Sequence, residues 1–275
     1  MLMLLDRERI EFYDQALAHC CHQKIVLEVG TGTGILSILA AFHGAQHVYT
    51  IERDPFLARL AKKTIQRLGL SRKITVIVGD STKIKTGTFP KADVFVQEVF
   101  GSDPLNEGLL AAVHDVQRFL KSDCVFVPEK FSYCLSGYQS KMLSPPKAFR
   151  FRNIWLKELD DLRDQIPLPV WSLASSESVS PVVVESRWID IKREIMKMRG
   201  FQAKVIVRPQ TRAILKKYDS LLVTFKLGYE ELTLNSWTRK KQDEKQHWAP
   251  FSISNLFRRK ATCVISADGL STKIQ

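Results

Sequence analysis

The sequence predicts an α/β fold, a parallel sheet flanked by helices, followed by a β-rich, barrel-like second half. Three observations carry that expectation. Strand-like and helix-like segments alternate strictly up to about residue 130. A turn with three glycines, Gly30, Gly32 and Gly34, joins the first apolar run to a helical stretch. Past about Pro128 the rotation stops, and segments rich in Val, Ile, Phe and Thr take over.

Element by element, Lys24–Val29 is a short apolar strand, Ile35–His43 a helix and His47–Ile51 a second strand. Asp54–Leu68 reads as a helix with Phe56, Leu60 and Ile65 toward the core. Ile74–Val78 and Ala92–Gln97 are β-branched runs, and Leu109–Leu120 is again helical. Ligands of such sheets sit outside the carboxyl ends of the strands. Phe131–Tyr138, Val182–Trp188, Gln202–Val207, Ser220–Tyr229 and Ala261–Ser266 read as antiparallel strands. Between them Asn153–Gln165 looks helical and Ile166–Ser180 loop-like. Two domains are expected, 1–130 and 131–275.

The 275 residues suffice for one large domain or two ordinary ones. A content of 45% hydrophobic and 25% charged residues excludes disordered and fibrous classes. No apolar run approaches the ~20 residues that span a bilayer, so no membrane partner is expected. Five cysteines without a CxxC spacing suggest neither disulfides nor zinc. Reduced thiols in the cytoplasm, or in the nucleus of a eukaryotic cell, fit that usage. Net charge is +12, with 16 Lys+Arg against 15 Asp+Glu in residues 1–130 and 25 against 14 beyond. The basic half suits an anionic partner such as nucleic acid, or is a solvated surface.

A dinucleotide fingerprint requires a third glycine where Ile35 stands. The pattern present, Glu28-x-Gly30-x-Gly32-x-Gly34, resembles motif I of the S-adenosylmethionine-dependent methyltransferases. That resemblance implies S-adenosyl-L-methionine as cofactor, its amino-acid and ribose portions passing close to a backbone without Cβ atoms. Glu28 would help hold the ammonium, directly or through water. Glu52, ending the second strand, is placed to accept both ribose hydroxyls. Asp80, with Ser81 beside it, is placed to reach the adenine amino group. The plainer alternative is a helix-start turn with two ordinary strand-end acids.

In "QEVFGSDPLNEG", Glu98 ends the fourth strand and Glu107 lies nine residues on, with Gly101 and Pro104 between them. Two converging carboxylates repel unless a cation joins them. A planar guanidinium with paired N–H donors suits such a clamp. Two solvent-exposed acids on a loop are the alternative.

"MLLDRERIEFYDQAL", "VLEVGTGTGILS", "VYTIE", "QEVFGSDPLNE" and, later, "QHWAPF" occur in order. Together they resemble the protein arginine N-methyltransferases. The resemblance implies transfer of a methyl group to an arginine of a protein substrate held by Glu98 and Glu107. It further implies that His247 pairs with Asp6, that Arg9 meets the cofactor's carboxylate, and that the second half is a substrate-binding barrel. A homodimer formed through an arm at 153–179 is implied as well. The chain departs from the family pattern at Gln97, Val99, Phe100, Thr82 and Gln246. The short stretch after His247 predicts a reduced barrel or one open at an edge. The rival readings are a methyltransferase of the same fold acting on a small molecule or nucleic acid, and a non-catalytic binding module.

Overall fold

The computed structural model describes residues 6–101, 104, 109–139, 150–151, 154–155, 168–169, 178–195, 201–236, 251–254, 257, 261–267 and 272–274. Its first half follows the alternation of the sequence. Helix α1 (Arg7–Cys20) precedes β1 (Ile25–Val29), α2 (Ile35–Phe42), β2 (His47–Glu52), α3 (Pro55–Arg67), β3 (Ile74–Val78), β4 (Ala92–Gln97), α4 (Leu109–Val116) and β5 (Leu120–Val127). The five strands form one parallel sheet in the order β3-β2-β1-β4-β5. The order reverses beside β1, which places the β1–α2 and β4–α4 connections next to each other at the carboxyl edge.

Helix α1 starts where Asp6 caps it through the Arg9 amide. Its buried face, Arg9, Phe12, Tyr13, Ala16 and Leu17, repeats at the three- and four-residue spacing of a helix. Asp54 caps α3 in the same way, accepting from the Phe56 and Leu57 amides.

The inward face of α3 differs from the expected one. Ile65 is buried, but its companions are Ala58 and Ala61, while Phe56 is 65% and Leu60 43% exposed. Close approach is the reason. A Cβ placed on Gly34 would lie 3.4 Å from the Ala61 Cβ, so α3 packs too tightly on the start of α2 for large side chains. The expected helix 109–120 ends early. After Val116 a short 3-10 turn, Gln117–Phe119, leads directly into β5, whose polar start conceals the buried Leu120, Cys124, Phe126 and Val127.

The second half forms an antiparallel sheet around β6 (Lys130–Gln139), which pairs with Ser178–Glu185 on one side and Ser220–Tyr229 on the other. Ser220–Tyr229 also pairs with Phe251–Ser254 and Leu232–Asn235. A further sheet joins Phe201–Ile206, Thr262–Ala267 and Thr272–Ile274. The expected strand 182–188 starts earlier, at Ser178, and ends at Glu185. Its register shifts between Val179 and Val183, around Pro181, which has no N–H for the ladder.

Two expectations in this half are corrected. Ile154–Trp155 pairs with Arg150–Phe151 as extended chain rather than helix, in keeping with the strand preference of Ile and Trp. The rest of 153–165 lies outside the described residues. Within the expected loop 166–180, Leu168–Pro169 pairs with Ser252 and Phe251, and Ser178–Ser180 is strand. The short helix Pro209–Leu215 was not foreseen, although Pro at a first helical position announces it. The two halves share one apolar core, with the Phe100 and Phe225 rings 6.1 Å apart.

The packing of α3 generates a test. Ala61→Leu is expected to lower the unfolding free energy by about 1–3 kcal/mol through overpacking. Phe56→Ala should change it by no more than about 0.5 kcal/mol. Chemical denaturation showing the opposite order would contradict this face assignment.

Candidate functional site

At the carboxyl edge of the parallel sheet, the β1–α2 turn is held by the end of β2. The Gly30 and Thr31 amides donate to the Ile51 carbonyl at 3.0 and 3.2 Å. The Gly32 amide donates to Glu52 Oε2 at 2.8 Å, and the Asp54 amide to Glu52 Oε1 at 2.8 Å. Gly30 and Gly34 take φ values of +88° and +86°, a left-handed backbone that costs other residues about 1–2 kcal/mol. A Cβ added at Gly32 would meet nothing within 4 Å, so the turn faces open space there.

Glu28 lies beneath this turn and is 1% exposed. Its Oε2 accepts from Thr50 Oγ1 at 2.8 Å and from the Ser37 hydroxyl. Thr50 also shares a hydrogen bond with Thr31 at 2.5 Å. Burial pushes the Glu28 carboxyl up to about 7, and the nearby charge of Glu52 adds to the rise; the two hydroxyls oppose it. The protein's own hydroxyls thus engage the side chain.

Asp80 follows β3 and caps the 3-10 turn Ser81–Lys83. Its Oδ1 accepts both the Thr82 hydroxyl at 2.8 Å and the Thr82 amide at 3.0 Å, which hold its carboxyl below the ordinary range.

On the other side of β1, Glu98 sits just past β4. Arg9 Nη1 donates to Glu98 Oε1 at 3.1 Å, and Arg9 Nε donates to Asp6 Oδ2 at 3.0 Å. Arg9 is 4% exposed, so this guanidinium is held between two carboxylates away from water. Tyr13 donates its hydroxyl to the Gln97 carbonyl at 3.0 Å, fixing the peptide that leads into Glu98. Burial, and then the charge of Glu98, push the Tyr13 phenol well up, so it acts as a neutral donor.

The structure therefore brings Asp6, Arg9 and Glu98 into one cluster, and Glu28, Gly30, Gly32, Gly34 and Glu52 into another on the neighbouring strands. Asp80 and Ser81 stand at the end of β3. Glu107 and His247 lie outside the described residues. Sequence reading overlooked Tyr13, Ser37 and Thr50. Tyr13 was legible as the residue four past Arg9 on one helix face; the lone hydroxyl of an apolar helix marked Ser37.

Residues 9–128 match the family "Ribosomal protein L11 methyltransferase (PrmA)". Protein arginine N-methyltransferase 1.1 of Arabidopsis thaliana is 30% identical over 227 residues, covering 81% of this chain and 57% of the relative. Protein arginine N-methyltransferase 1 of Oryza sativa subsp. indica is 34% identical over 157 residues, 56% of this chain and 40% of the relative. The chain thus spans less than two thirds of these relatives. Among solved structures, the Trypanosoma brucei PRMT1 enzyme-prozyme heterotetrameric complex with AdoHcy superposes with a TM-score of 0.72 at 21% identity. That match covers 96% of this chain and 85% of the other. The crystal structure of PRMT6 gives 0.69 at 19% identity, covering 100% and 96%. These likenesses show the fold: a parallel-sheet domain joined to an antiparallel, barrel-like one.

The buried Glu28 makes stability depend on pH. Its folded pKa of about 7 lies above the ordinary value of 4.5, so the folded state binds more protons between those limits. Its contribution is complete below about pH 4.5 and is lost as pH rises toward 7. Glu28→Gln should flatten that segment of a stability-against-pH curve measured by urea unfolding. An unchanged slope would contradict the assignment.

Proposed function

We propose that this chain is a protein arginine N-methyltransferase, like the relatives it matches, and transfers a methyl group from S-adenosyl-L-methionine to an arginine guanidinium of a protein substrate. One observation carries the reading: Glu98, a strand-end carboxylate on the same sheet edge as the glycine turn, already pairs with a guanidinium at 3.1 Å.

The residues present suit the cofactor. An ionised carboxylate offers about four acceptor positions. Glu52 spends two on the Gly32 and Asp54 amides, which leaves as many for a ribose diol. The glycine turn lets a ligand approach the backbone closely, and Arg9 supplies positive charge for a carboxylate. Asp80 Oδ2 takes no hydrogen bond among the described residues and points to the amino group of a purine as its partner. When bound, the cofactor supplies an electrophilic methyl on a sulfonium centre.

The chain's own residues then do the positioning. Glu98 and Glu107 grip two sides of the substrate guanidinium and draw its positive charge toward them. The remaining nitrogen would gain nucleophilic character. With the cofactor bound, its sulfonium would supply the methyl group to that nitrogen, whose excess proton would leave through a carboxylate or through His247 paired with Asp6. Alignment of this kind contributes several kcal/mol, up to ~7–11 in the best cases.

The test is radiolabelled methyl transfer onto a lysate of the host, followed by amino-acid analysis. Label should appear in methylarginine, and Glu98→Gln should lower the rate by roughly 10²-fold or more. Label in another residue, or full activity in Glu98→Gln, would overturn the arginine reading. At 100 times its Kd, S-adenosylhomocysteine should stabilise the fold by about 2.7 kcal/mol.

A further inference from the structure

We infer that Arg118 is a positioning residue that sets the purine end of the cofactor site, an inference that rests on the proposed use of S-adenosyl-L-methionine. Arg118 lies in the 3-10 turn after α4, far from the sheet edge in sequence, yet its guanidinium reaches the loop that follows β3. Nη2 donates to the Ser81 carbonyl at 2.7 Å and Nη1 to the Ile84 carbonyl at 2.5 Å. Those two carbonyls bracket the turn Ser81–Lys83 that Asp80 caps.

The fork is itself fixed on its own side. Nη2 donates to Asp115 Oδ1 at 3.0 Å, and Nε donates to the Asp115 carbonyl at 3.2 Å. The guanidinium carbon lies 4.3 Å from the centroid of the Phe119 ring. Phe119 continues an aromatic column through Phe89, 5.0 Å away, to Tyr49 on β2, stacked 4.9 Å beyond. A planar group with five donors is required for this arrangement; an ammonium cannot span two carbonyls and keep both bonds to Asp115.

The consequence falls on Asp80. Its Oδ1 is committed to Thr82, inside the turn that Arg118 clamps. The direction of the remaining oxygen is therefore set by the turn, and the turn by the fork. The same guanidinium ties this loop to the segment directly after α4, downstream of Glu107. Without the fork, the carboxylate that discriminates an amino-purine from an oxo-purine loses its fixed aim.

The experiment measures binding of S-adenosylhomocysteine and its inosine counterpart by calorimetry to the wild-type chain, Arg118→Lys and Arg118→Gln. Arg118→Lys keeps the positive charge, so it guards against a variant that fails to fold. The wild type should prefer the adenine ligand about tenfold. Arg118→Lys should weaken adenine-ligand binding about tenfold and reduce the preference below threefold, while the inosine ligand binds as before. In turnover, KM for the cofactor should rise with kcat unchanged. Equal weakening of both ligands, or an intact preference, would overturn the inference. A wild-type chain that binds neither ligand would instead overturn the cofactor reading itself.

Discussion

The carboxylate of Glu52 is the joint on which the site's geometry depends. It accepts one amide from the glycine turn and one from the start of α3, so the connections after β1 and β2 are locked through a single side chain. The Ile51 carbonyl adds two more bonds to the same turn. A loop made of glycines would otherwise be costly to order, because glycine loses more conformational freedom on folding than other residues. Here strand β2 holds it from the side, and the small face of α3 lets Gly34 and Ala61 approach closely.

A second joint links the sheet edge to the rest of the molecule. Helix α1 carries Asp6 and Arg9 at its start and reaches toward the antiparallel sheet at its end, where His19 lies 3.3 Å from Glu230. Its middle supplies Tyr13, which fixes the end of β4. A buried guanidinium requires paired carboxylates, and here Asp6 at the helix start and Glu98 past β4 provide them. One helix thus determines where Glu98 points. The clusters around Glu52 and around Glu98 flank the strand that carries Glu28, so both are built on neighbouring strand ends.

Much of the first half was legible in the sequence because its signals are local. The strand runs, the glycine spacing and the strand-end acids Glu52 and Glu98 all announce themselves within a few residues. The inward face of α3 was misread because size was taken for burial, whereas close helix approach selects Ala58 and Ala61. Strand β5 was hidden by its polar opening, and Ile154–Trp155 by helix-forming neighbours further along. The bonds of Glu28 to Ser37 and Thr50 and of Arg118 to Ser81 and Ile84 were not legible at all. They join residues whose nearness is a product of the fold, and no spacing in the chain foretells it.

The central claim is that a nucleoside-bearing ligand binds at the carboxyl edge, against the turn that Glu52 holds. The most direct measurement is a titration of the ¹⁵N-labelled chain with S-adenosylhomocysteine, followed through its backbone amide resonances. Saturable shifts centred on Gly30, Gly32, Glu52 and Ser81 are expected, with Glu52→Gln weakening the binding. Shifts confined to the antiparallel sheet, or none at saturating ligand, would contradict it.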